Sequence, residues 1–283
     1  LSDAQENFPQ AIKNAEFLNR DDLFATTHCF IENVGQYGDY YAQHPEMGKI
    51  LFAYEGFEMP VLFTEKGLIY LHRKIEKPIR SHEEEERLER KNRRKEALIQ
   101  EFKAKDKAIC MLWENANKSV DILTEDKSEA YHTYGLLQSK AQSFKKIIFK
   151  NLYLRIDLVF TIDSKKQSGF EYSFVVHSGA DANLIQLRFS GDVKSIKNKN
   201  EAPLCISSNY GKTYHSQPLS YYAENTTNAT VGDEIKTQFK VEHNTLSFSF
   251  PQGYNKNKTI VIDPFITASG TLIGTNAAKA KGV

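Results

Sequence analysis

Eight histidines and three cysteines are the side chains of this sequence best equipped for catalysis or metal binding, so their spacing comes first. The histidines stand at 28, 44, 72, 82, 132, 177, 215 and 243, and no two form an HxH or HExxH pair. "SHEEEE" begins like a zincin helix, but the position four residues after His82 is Glu86 rather than a second histidine. Cys29, Cys110 and Cys205 are far apart and form no CxxC, so spacing proposes neither a zinc knuckle nor a disulfide framework. Each reads as a small buried apolar residue, with one pair open to oxidation in a non-reducing compartment. A GxSxG elbow, a GxGxxG turn and a Walker loop are all absent from the sequence.

Paired acids need only meet in space, which keeps Asp157, Asp163, Glu171 and Asp263 as candidates for glycoside chemistry. Asp157 inside "RIDLVF" and Asp263 inside "VIDPF" are better suited to bonding backbone amides at strand ends. The expectation is therefore no catalytic residue, no cofactor and no metal. Tyr210, Tyr214, Tyr221 and Tyr222 offer a different chemistry, stacking on sugar rings, against the commoner fate of cross-strand packing. Asn-x-Ser/Thr acceptors at Asn117, Asn225, Asn228 and Asn257 matter only in a eukaryotic secretory pathway and otherwise mark polar loops.

These residues must be positioned mostly by strands. "FEYSFVVH" sets Phe170, Tyr172, Phe174 and Val176 against Glu171, Ser173, Val175 and His177. "LIQLRFS", "IKTQFKVEH" and "TLSFSF" alternate in the same way, and "VLF" and "LIYL" flank the turn-like "TEKG" as a hairpin. Period-two alternation means one buried and one wet face, the habit of antiparallel sheets. "HSGAD", "KNKNEAP", "SNYGK" and "PQGYNKNK" supply turns between the runs. The fold class expected is mainly β, an antiparallel β-sandwich-like domain with a short N-terminal helix and one long inserted charged helix.

The N-terminal helix is read from "NFPQAIKNAEFLN", with Asn7 as cap, Pro9 in the first turn, and Phe8, Ile12, Ala15 and Leu18 at helical spacing. The inserted helix is read from "RSHEEEERLERKNRRKEALIQEFKAKDKA". Ser81 and Glu84 form a capping box, acids lead and bases follow, and Glu83–Arg87, Glu86–Arg90 and Glu89–Arg93 sit four apart in the favourable order. The leading glutamates neutralise the bases, which argues against a nucleic-acid arm. Leu88, Leu98, Ile99 and Phe102 bunch too late for a coiled coil. A solvated helix remains, with Glu83, Glu86, Arg87, Arg90, Arg93 and Arg94 as candidate partner-docking residues.

A formal charge of +1 gives no global field for nucleic acid, and no apolar run is long enough to span a membrane as a helix. The chain opens on Leu1, so a processed or trimmed product is expected.

Six segments stand in a recognisable order: "FIENVGQ", "VLFTEKGLIYLH", "YHTYG", "FKNLYLRIDLVF", "EYSFVVHSGADANLIQLRFSG" and "IVIDP". Over Phe30 to Phe265 the chain resembles the N-terminal β-rich domain of unknown function of large secreted Bacteroidota proteins. There it precedes β-propeller-type repeats and a type IX secretion sorting domain, sometimes of the gliding-motility-associated kind. The resemblance implies an extracellular or outer-membrane surface module with no catalytic residues to carry over. It also implies a turn at Asn33 and Gly35, a loop between paired strands at Gly179 and Asp181, and a last strand closed by Pro264. "LYLRIDL" replaces a more usual Pro-Gly turn, and the charged helix is an insertion.

The organisation expected is residues 1–27 as N-terminal helix and connector, 28–265 as the β-rich domain with its insertion at about 78–107, and 266–283 as a linker. The polypeptide is expected to continue beyond Val283. The function expected is non-catalytic assembly, adhesion or docking to a cell-surface protein partner. The alternative is a carbohydrate-binding module or an appendage of a polysaccharide-processing enzyme, with a glycan as ligand.

Overall fold

A computed structural model describes residues 28–56, 60–76, 83, 87, 103–129, 131–134, 139–162, 169–199, 202–223, 231–269 and 272–273. The expected N-terminal helix lies outside these residues.

The first half of the sheet comprises β1 (Phe30–Glu32), β2 (Ile50–Tyr54), β3 (Val61–Thr64), β4 (Gly67–Glu76), β5 (Lys103–Trp113) and β6 (Asp121–Lys127). Then come the ribbon strands β7 (His132–Tyr134) and β8 (Ser139–Ala141), followed by β9 (Ser143–Tyr153), β10 (Ile156–Thr161), β11 (Phe170–Val176) and β12 (Leu187–Gly191). Five further strands are β13 (Ser195–Lys197), β14 (Leu204–Ser207), β15 (Lys212–His215), β16 (Leu219–Ala223) and β17 (Val231–Glu234). The last are β18 (Gln238–Glu242), β19 (Thr245–Ser249), β20 (Ile260–Asp263), β21 (Phe265–Ser269) and β22 (Leu272–Ile273). A short helix, α1 (Gly38–Gln43), and a 3-10 turn (Pro45–Met47) lie between β1 and β2.

All strands but the β7–β8 ribbon belong to one sheet that curls into a closed barrel, rather than to two stacked sheets. The sandwich-like expectation thus gives way to a curled antiparallel sheet. Alternation alone cannot distinguish the two, because each buries one face of every strand. The order β5–β4–β3–β2–β1–β9–β10–β11 runs by antiparallel neighbours, and β22 alone pairs in parallel, onto β4, among the described residues.

The curl has a chemical cause. Phe30, Tyr54, Phe63, Phe149, Phe160 and Phe170 all turn inward and are buried, each from a different strand. Phe63 meets Phe30, Phe160 and Phe170 at centroid separations of 5.0, 4.9 and 5.3 Å, the first two edge-on. Such contacts across the interior add about 0.5–1.5 kcal/mol per pair beyond area burial.

Several expectations resolve at single residues. Asn33 accepts from the Gly35 amide and donates to the Ile50 carbonyl, and Gly35 takes φ +116°, so the turn falls where expected. Gly179 is also left-handed, and Asp181 caps a 3-10 turn at Ala182–Leu184, but the strands this loop joins, β11 and β12, are not partners. Strand β11 bonds to β10, β20 and β21, whereas β12 bonds to β5 and β19. Pro264 only interrupts the ribbon between β20 and β21, and the sheet continues past it.

No long inserted helix is seen among the described residues. Of the charged stretch, Glu83 and Arg87 are described, helical and exposed; Glu86, Arg90, Arg93 and Arg94 lie outside the described residues. Strand β5 already begins at Lys103, opposite Glu76, so the insertion leaves and re-enters the sheet at one cross-strand pair.

The "LYLRIDL" turn is a two-residue hairpin. Tyr153 faces Ile156, with Leu154 and Arg155 between them, and Arg155 takes φ +59°. A left-handed non-glycine residue costs about 1 kcal/mol. Arg155→Gly is therefore expected to raise unfolding free energy by roughly 0.5–1 kcal/mol in urea titrations, whereas Arg155→Val lowers it.

Candidate functional site

A cleft opens beside the barrel, a space of about 440 Å³. Its apolar lining comes from Leu51, Leu112, Trp113, Val120 and Ile122, and its polar lining from Glu65, Lys66 and the loop Asn115–Ser119. That loop joins β5 to β6 and is held firmly. Trp113 donates its amide to Lys66, Glu114 to Gln186, and Asn117 to Leu152, at 3.0, 2.9 and 2.9 Å. The Asn117 side chain also donates to the Asn151 carbonyl. Trp113 stacks edge-on against Phe149, and its buried indole N–H has no acceptor among the described residues. Ile122 is the residue that β6 contributes to this lining, and β6 itself is almost wholly exposed, hydrogen-bonded among the described residues only to β9.

Asp157 is the most elaborately bound of the acids considered for catalysis. It is buried, with Oδ2 accepting from Lys150 Nζ at 2.7 Å and His177 Nε2 at 2.9 Å, and Oδ1 accepting from the Asn151 amide at 2.8 Å. Burial, the largest influence, pushes its carboxyl up, yet the amide, Lys150 and His177 together outweigh it and hold the carboxyl below its ordinary value. Both oxygens are engaged in fastening the β9–β10 hairpin to the end of β11. Asp263 accepts from the Ser173 hydroxyl at 2.6 Å, and Glu171 lies opposite Phe265. Asp163 is outside the described residues. The strand-end role read for Asp157 therefore has a direct counterpart in the Asn151 amide bond.

The four tyrosines are spread over three elements. Tyr210 lies half-buried in the turn before β15, Tyr214 half-exposed on β15, and Tyr221 and Tyr222 on opposite faces of β16. Tyr221 is buried, while the Tyr222 hydroxyl accepts from the Asn255 amide and its ring lies under Lys258. No ring contact links any two of them among the described residues.

Two buried histidines were invisible to spacing arguments. His72 bonds Ser208 Oγ and Thr213 Oγ1 at 2.8 and 2.9 Å, and His215 Nδ1 meets the Tyr172 hydroxyl at 2.9 Å. Their partners are distant in sequence, and only the positions of His72 and His215 on inward-turned strand faces hinted at burial. Burial lowers His72 to about 4 and His215 to about 3. One further group carries metal-ligand donors, His44, Glu46 and Cys110.

Both buried histidines bind fewer protons folded than unfolded below their ordinary value of 6.5, so stability is complete above that pH and falls as acid is added. By pH 5 each is expected to cost about 2 kcal/mol. His215→Gln, which keeps an acceptor for Tyr172, is expected to flatten the fall in unfolding free energy between pH 6.5 and 5. An unchanged slope would show that His215 is not held neutral.

A family model described as Domain of unknown function (DUF7948) matches residues 30–265, and the chain belongs to this family. No curated protein and no solved structure matches the chain.

Proposed function

For this member of the DUF7948 family we propose a non-catalytic role, as a module of a secreted or surface-exposed bacterial protein that serves assembly, adhesion or partner docking. The observation that carries the reading is the free edge of β6 beside the Trp113 cleft. Asp121–Lys127 is exposed at six of its seven positions, Leu123 is 47% accessible, and one long side of the strand has no partner among the described residues. Such an edge accepts an extended peptide by strand addition, backbone bonds giving affinity and an adjacent pocket giving selectivity. Natural sheets otherwise blunt exposed edges, and here charges stand at Asp121 and at Glu125–Lys127, leaving Ile122, Leu123 and Thr124 uncharged between them.

The side chains that could have supported chemistry speak for the same reading. Asp157 and Asp263 are engaged in structural bonds, and His72 and His215 are enclosed and neutral. The charged insertion belongs to the proposal as a second contact, because its described residues Glu83 and Arg87 are exposed and it joins β4 to β5 across the Glu76–Lys103 pair. The wider setting, a large secreted Bacteroidota protein with propeller-type repeats and a type IX sorting domain, is part of the same proposal. No helix among the described residues is long and apolar enough to cross a membrane.

The carbohydrate-binding reading is favoured by a different feature, the amide- and lysine-rich rim of the cleft over an apolar floor. It shifts the expected contact from the tyrosines toward Asn115 and Lys118.

Three forms of the chain test these readings: intact, Leu123→Lys, and 77–102 replaced by a short Gly-Ser turn. Because Glu76 and Lys103 are already paired, the replacement is expected to leave the unfolding midpoint within a few degrees of the parent. A partner captured from surface extracts, identified and reconstituted pure, is expected to lose affinity roughly tenfold or more with Leu123→Lys or with the replacement. Identical capture by all three folded forms, or none by any, overturns docking. A glycan panel read with Asn115→Ala, Lys118→Ala and Tyr214→Ala decides the second reading, flat titrations retiring it.

A further inference from the structure

On the outer face of the sheet a small second core forms around Met47, Ile50, Leu62, Ile69 and Cys110. The segment between β1 and β2 is pinned there by Met47, which is fully buried, while Pro45 opens the 3-10 turn and Gly48 ends it at φ +75°. That turn holds His44 and Glu46 two residues apart above β5, from which the Cys110 side chain rises. His44 Nδ1 lies 3.5 Å from Cys110 Sγ and 3.5 Å from Glu46 Oε1, and the three donor atoms all fall within 4.8 Å of one another.

Both neighbours converge on the same imidazole nitrogen. A cysteine–histidine–acid relay for nucleophilic catalysis needs the opposite arrangement, with the thiol at one ring nitrogen and the acid at the other. The thiol is also no nucleophile as it stands, because burial, reinforced by Glu46 and Asp192, pushes it up to about 12. Convergence on one point is instead what ligands of a single ion do. Tetrahedral zinc, with Zn–S near 2.3 Å and Zn–N near 2.0–2.1 Å, places sulfur and nitrogen about 3.5 Å apart and nitrogen and oxygen about 3.3 Å apart. The two separations from His44 Nδ1, each 3.5 Å, already lie close to those values, and the sulfur and the carboxylate oxygen lie within 4.8 Å of each other.

We propose that His44, Glu46 and Cys110 form a Zn²⁺ site that clips the α1 and 3-10 segment onto β5, a water molecule taking the fourth position. The charges balance: a neutral imidazole, a carboxylate and a thiolate together offset the ion. On binding, the Cys110 S–H proton passes to solvent and the sulfur lone pair bonds the metal, with no change of oxidation state. Access is open on one side, since Glu46 is exposed and His44 partly so, while Cys110 is fully buried. The set is legible only in three dimensions, because Cys110 lies 66 residues beyond His44. This inference is independent of the docking reading.

Metal-free chain titrated with Co²⁺ alone is expected to bind one equivalent with thiolate-to-cobalt charge-transfer absorption, abolished when Zn²⁺ displaces the cobalt. Cys110→Ser is expected to lose the absorption, and a Cys29→Ser/Cys205→Ser double variant to keep it. His44→Ala and Glu46→Gln, changed at less buried positions, are expected to weaken binding by roughly tenfold or more, since even residues supporting a metal ligand are worth that much. Zn²⁺ is also expected to raise the thermal midpoint of the parent but not of His44→Ala. The inference is overturned by absent charge-transfer absorption in the parent, by its survival in Cys110→Ser, or by undiminished affinity in His44→Ala.

Discussion

The architecture depends on the packing of Phe63 against rings from three other strands. Phe30, Phe160 and Phe170 reach it from β1, β10 and β11, which are not neighbours of β3 in the sheet. A flat sheet cannot bring those rings together, so the strands must curl, and the curl makes each inward position a core position. Tyr54 extends the constraint by accepting the amide of Gly169, just before β11, on its hydroxyl. A polar group is thereby satisfied inside an apolar interior, where an unmade bond costs about 1–3 kcal/mol.

Curling divides the molecule into two chemistries. In the interior His72 is bound by Ser208 and Thr213 and held uncharged. The outer surface gathers groups from loops and strand backs: the Asp157 bonds that fasten the β9–β10 hairpin, the Trp113 cleft, and the second small core carrying Cys110. The docking proposed for this chain falls to the outer surface because the inner one is filled. The β6 edge shares that surface, paired along one side among the described residues.

Local rules carried far in this chain, and their reach had a physical limit. Strand identity was legible because side-chain direction alternates with period two whatever the partner is. The faces of Phe170–Val176 and the hairpin of Val61–Phe63 with Leu68–Leu71 follow from residues adjacent in sequence. Partner choice was not legible in the same way. Nothing local says that Phe30 pairs with Tyr54 and Phe144, that β11 ignores β12, or that Pro264 interrupts a ribbon without ending it.

The sequence by itself determined the β class, the run of strands, the near-neutral charge and the strand-end role of Asp157. Those depend on composition, on spacing of a few residues and on backbone groups close by. Tertiary structure decided that the sheet curls into a barrel, that His72 and His215 are buried neutral, and that the tyrosines stand apart. It alone brought His44 and Glu46 to Cys110, and the loop after Trp113 to the wall of a cleft. Each of these requires segments tens of residues apart to meet, and the energy that joins them resides in a shared interior to which all the strands contribute.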